Sequence, residues 1–117
     1  MINLSQKEKE KIIKLRAQFP KHLDVSIHSC EEGGFTAIIN NFQGCITEGE
    51  TFSELINMIN DCIYTYFEIP LKYLSYMPTY LPSISVAAGF DFFKRQNNKK
   101  IKTDFKITSN LNEKVAV

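Results

Sequence analysis

Five carboxylates in the middle of this 117-residue chain, Glu31, Glu32, Glu48, Glu50 and Asp61, are the residues with which catalysis would have to begin. A metal-dependent nuclease needs several carboxylates converging on one or two cations. Glu31 and Glu32 instead precede a Gly33-Gly34 pair and read as turn residues, and Glu50 flanks a helix cap. The spacing does not bring the five into one pocket, so the expectation is a protein that is not an enzyme. Their more useful property is negative charge. His28 stands on the polar side of an alternating run, with no nucleophile or carboxylate motif beside it. Cys30, Cys45 and Cys62 are odd in number and hold no CxxC pair, which argues for a reducing cytoplasmic setting over a disulfide frame or a zinc site. Cys45 follows a glycine turn between apolar residues and reads as a small core residue. Gly33, Gly34, Gly44 and Gly49 are not spaced as a phosphate-binding loop and read as positions that need positive φ. No catalytic centre, metal or cofactor is expected.

The elements that position these residues follow from periodicity. Leu23, Val25 and Ile27 alternate with Asp24, Ser26 and His28, the pattern of a half-buried strand. The Gly33-Gly34 turn leads into a second strand over residues 35–39, and Asn40, Asn41 and Gly44 bracket a turn before a third short strand at 45–47. Thr51 and Glu54 then form a capping box. Phe52, Leu55, Ile56, Ile59, Ile63, Tyr66 and Phe67 recur at three and four residues, predicting one buried helical face that Pro70 ends. The core over 23–69 is therefore an antiparallel three-strand meander covered by one amphipathic helix. An added N-terminal helix over 5–19 starts with a Ser5–Glu8 box, and its apolar stripe is Ile12, Ile13, Leu15 and Phe19. In the extension over 70–117, residues 83–87 read as a fourth strand. Residues 101–107 alternate as another, expected either to close the sheet edge or to pair with a second copy. The fold class is α+β, with 1–117 as one domain by length.

The net charge of +1 hides an asymmetry. Residues 1–20 carry +3, residues 21–90 carry −6 and residues 91–117 carry +4. An acidic body suits a basic partner. The basic run with Lys94, Arg95, Lys99 and Lys100 is a candidate for contact with nucleic-acid phosphates. The order of elements there does not supply the two helices that a DNA-binding module requires, and DNA binding is not favoured. No stretch approaches a membrane span, and no apolar signal core follows the N-terminal basic residues.

Within the core, Gly34-Phe35-Thr36-Ala37, then Gly44-Cys45-Ile46-Thr47-Glu48-Gly49-Glu50-Thr51, then Ser53-Glu54, resembles the pattern of the HicB family of antitoxins from toxin–antitoxin pairs. The likeness covers residues 25–67. It departs at the turn before Gly44, where the family's prolines and Asp are replaced by Asn40-Asn41-Phe42-Gln43. The resemblance implies a partial ribonuclease H-like fold without catalytic power. It also implies a partner: the small, basic, messenger-RNA-cleaving toxin HicA, silenced by direct binding and occlusion. Many family members carry a C-terminal segment that binds the promoter of their own operon. The expected toxin-binding residues are Glu31, Glu32, Glu48 and Glu50, chosen by charge, and self-association through the 101–107 strand is expected. The alternative is an orphan module of the same fold with another protein partner.

Overall fold

The computed structural model describes residues 4–82 and 100–107, with the side chains of Lys100 and Ile101 outside that description. Helix α1 (Gln6–Ala17) begins where sequence dictates. The Glu8 amide donates to Ser5 Oγ at 3.1 Å, and the Ser5 amide donates back to Glu8 Oε1 at 3.3 Å. These two bonds satisfy donors that the first helical turn leaves open. The second bond, from the Ser5 amide, is also the largest cause holding the Glu8 carboxyl below its usual pKa.

Strands β1 (His22–Ser29), β2 (Phe35–Ile39) and β3 (Ile46–Gly49) follow as an antiparallel meander. Gly33 and Gly34 take φ of +97° and +80° in the first turn, as expected of a tight hairpin. The third strand runs two residues past the expected 45–47. Helix α2 (Phe52–Tyr66) starts at the Thr51 cap, whose Oγ1 accepts from the Glu54 amide at 3.1 Å. A short 3-10 helix (Leu71–Tyr76) leads to β4 (Tyr80–Pro82), and β5 (Lys100–Ile107) completes the sheet. Pro82 is tolerated because β4 is an outer strand and Pro cannot donate to a ladder.

The strand order is β3-β2-β1-β5-β4, antiparallel at every pairing. Register places Leu23, Val25, Ile27, Phe35, Ala37, Ile39, Thr103 and Phe105 on one face, all of them buried. Leu55, Ile59 and Ile63 of α2 are fully buried in the same core, and each such side chain contributes roughly 1.5–3 kcal/mol. Phe19, just past α1, joins them through ring contacts at 5.0 Å with Phe67 and 6.1 Å with Tyr64. The other face carries Asp24, Ser26, His28, Lys102, Asp104 and Lys106, and His22 Nδ1 meets Asp104 Oδ2 there at 2.8 Å.

The 101–107 strand closes the open edge of the meander, one of the two outcomes expected for it; the other, pairing with a second copy, needs correction, as do two further expectations. The strand lies between β1 and β4, with Leu23 opposite Phe105 and Val25 opposite Thr103, so its alternation is satisfied inside the chain. That removes the reason for assigning self-association to it. Gly49 does not take positive φ; a Cβ there would lie 2.7 Å from the Leu55 amide nitrogen, so the glycine serves close helix–strand approach. Tyr66, expected on the buried helical face, is 49% exposed and packs against Phe42 with ring centroids 4.5 Å apart. The fourth strand expected at 83–87 lies outside the described residues.

Candidate partner-binding surface

The β1–β2 turn and the β3–α2 junction meet at one end of the sheet, because β2 connects the two in register. Phe35 pairs with Gly49 and Thr36 with Glu48, while on the other side Ser29 pairs with Phe35 and His28 with Thr36. The turn is closed by the Gly33 amide donating to the Cys30 carbonyl and the Cys30 amide donating to the Gly34 carbonyl, both at 3.1 Å. Glu31 and Glu32 occupy the exposed corner of that turn.

Two adjoining clefts result. One, of about 310 Å³, is lined by Glu48, Glu50 and Glu54 together with Cys30, Gly33 and Gly34. The other, of about 550 Å³, is lined by Glu31, Glu32, Glu48 and His28. Glu48 belongs to both, so the four glutamates picked by charge do gather on one surface, around two clefts that share a wall. Glu54 joins them; sequence assigned it only to the helix cap. Its place in the first turn of α2 is the signal that would have found it, since an acid there must sit beside the residues that lead into the helix.

Asp61 is not part of this group. It faces a separate cleft with Cys45 and Cys62, farther along α2. The five carboxylates considered for a nuclease therefore do not converge. Among the described residues, no group of three or more His, Cys, Asp or Glu side chains is placed to hold a metal ion. Lys94, Arg95 and Lys99 of the basic run lie outside the described residues. Lys100 opens β5, its backbone opposite His28.

Two polar clamps escaped the sequence reading. Asn60, on the buried side of α2, accepts from the Tyr80 amide at 2.7 Å through Oδ1 and donates to the Tyr80 carbonyl at 3.1 Å through Nδ2. It thereby pairs with β4 as another strand would. Asn41, read as a turn former, also ties the second turn to β1: its Oδ1 accepts from the Asp24 amide at 2.7 Å and its Nδ2 donates to the His22 carbonyl at 3.2 Å.

What fold and surface define together, over the described residues, is an α+β protein with a five-stranded antiparallel sheet, two α-helices packed into one core, and an acidic, cleft-bearing end. No family model, curated protein or solved structure matches the chain. Among the described residues, no helix is long and apolar enough to cross a membrane.

Proposed function

We propose that this chain is a HicB-like antitoxin, a non-catalytic binder that neutralises a small basic messenger-RNA-cleaving toxin of the HicA kind by covering its RNA-binding face. The reading rests on the motif from Gly44 to Thr51 and on one structural observation: that motif delivers Glu48 and Glu50 to the same end of the sheet as Glu31 and Glu32. A toxin that grips RNA must present positive charge, and an acidic surface steers it in and competes for the same groups. The shared-wall clefts offer concave places for its side chains, so that shape as well as charge selects the partner. The HicB-like, partial ribonuclease H-like description of the core belongs to the same proposal.

The test is co-expression with the product of a neighbouring gene that encodes a small basic protein, scoring co-purification and growth; the antitoxin reading requires such a gene. The expected result is a stable complex and relief of toxicity, both lost in a Glu31→Lys/Glu48→Lys double variant that still folds. A neighbour that is neither toxic nor bound would sink the antitoxin reading and leave the alternative, a module of the same fold with another protein partner.

A further inference from the structure

The cleft that Asp61 faces, about 330 Å³, lies between the turn that precedes β3 and the second half of α2. Cys45 reaches it from the turn and Cys62 from the helix, with Met58 one helical turn before Cys62 on the same wall. Both cysteines are free thiols, Cys45 buried at 4% exposure and Cys62 half-buried. The two thiols line the same cleft, and Cys62 is a near enough neighbour to help raise the Cys45 thiol. Cys45 follows Gly44, at φ +83°, and lies just outside the β3 ladder, so its position is set by a turn rather than by a strand centre.

We propose that Cys45 and Cys62 form a peroxide-responsive dithiol, oxidised reversibly to an intramolecular disulfide that staples the β2–β3 turn to α2. The more accessible Cys62 reacts first. Its thiolate attacks one peroxide oxygen; the O–O bond breaks, an S–O bond forms, and the departing hydroxide takes a proton to become water. The Cys45 sulfur then attacks the Cys62 sulfenic sulfur; the S–O bond breaks, and the hydroxyl leaves as a second water with the Cys45 proton. Two thiols lose two electrons and one peroxide gains them. Burial, and then the neighbouring Cys62, push the Cys45 thiol up to about 11, which suits it to the resolving role and not to first attack. Cys30 is an internal control: it lies at the acidic end of the sheet, its Sγ 3.7 Å from Thr36 Oγ1. This inference stands apart from the antitoxin reading.

The experiment treats the reduced full chain with hydrogen peroxide under native conditions and reads intact mass and a non-reducing peptide map. The expected result is loss of two hydrogens per chain, a Cys45–Cys62 linked peptide, no covalent dimer, and full reversal by dithiothreitol. Cys62→Ser, at a half-buried position, abolishes the change. Cys45→Ala leaves a Cys62 sulfenic acid that dimedone traps. If that variant fails to fold, the wild-type map and Cys62→Ser still decide. A link that includes Cys30, over-oxidised Cys62 beside an untouched Cys45, or thiols unchanged where free cysteine is fully oxidised, would each overturn the proposal.

Discussion

At the scale of single residues, the groups that matter most to stability are those with a polar atom in the core. Asn60 is 6% exposed and satisfies both backbone groups of Tyr80 while donating to the Ile56 carbonyl at 2.9 Å. Removing it leaves a buried N–H and a buried C=O without partners, each at about 1–3 kcal/mol. Asn60→Ala is therefore expected to cost about 2–6 kcal/mol in urea unfolding. Asn60→Leu should be no milder, because volume is not what is lost. A cost under about 1 kcal/mol would show that β4 finds its partners elsewhere. Cys45 supplies the pH dependence. Its thiol is raised from 9.0 to about 11, first by burial and then by Cys62, so the folded chain holds a proton that the unfolded chain has already released. The stability this contributes is complete below pH 9 and is lost as pH rises towards 11. Tyr64 and Tyr80, both raised chiefly by burial, act with the same sign at still higher pH. Unfolding free energy should fall across this alkaline range, and less steeply in Cys45→Ala; equal slopes would remove Cys45 from the account.

At the scale of elements, the strands and α2 were legible because each is short-range: Leu23, Val25 and Ile27 alternate, and Leu55, Ile59 and Ile63 recur by helical turns, whatever the rest of the chain does. The place of β5 was not legible. Its alternation says that one face is buried but does not say against which strand, and its partner β1 lies some eighty residues away, as in the pairing of Val25 with Thr103. Gly49 was misread for a similar reason: a glycine needed for close approach and one needed for positive φ look alike in a sequence. Both placements can be tested. Thr103 is 8% exposed, faces the core, and its Oγ1 has no hydrogen-bond partner among the described residues. Thr103→Val keeps the shape and removes the stranded hydroxyl, so it should stabilise the fold by about 1 kcal/mol. A loss of stability would place that side chain somewhere wetter than the inner strand. Gly49→Ala pushes a methyl into the α2 backbone at 2.7–2.9 Å, which side-chain rotation cannot relieve. It should cost about 1–3 kcal/mol or more, the range of an overpacked core. Gly33→Ala, with open space around its Cβ, should cost only its αL penalty of about 1 kcal/mol. Thermal unfolding of the two variants side by side checks the order.

At the scale of the whole molecule, charge separates what packing joins. The acidic clefts sit at the end of the sheet made by the β1–β2 turn and the start of α2, whereas α1 carries Lys7, Lys9, Lys11, Lys14 and Arg16. Sequence showed the imbalance as segments of +3, −6 and +4, but it could not show that residues seventeen apart, Glu31 and Glu48, border one cleft. That contact depends on β2 returning between them, a fact of pairing and not of composition. The consequence for binding is kinetic. Exposed carboxylates contribute little to a complex once formed, and much to the rate at which an oppositely charged partner arrives. The range of their field is the Debye length, about 10 Å at 0.1 M salt and about 3 Å at 1 M. Association with the proposed basic toxin should therefore slow by roughly tenfold or more between ~0.05 M and ~0.5 M salt, while dissociation changes little. Glu31→Lys/Glu48→Lys should flatten that salt slope. Charge reversal at Lys7 and Lys9 should leave it intact, since those residues lie on α1 and not at the acidic end. Stopped-flow association over a salt series measures all three proteins on one scale. Equal slopes for the wild type and the glutamate variant would mean that the partner docks on some other face of the molecule.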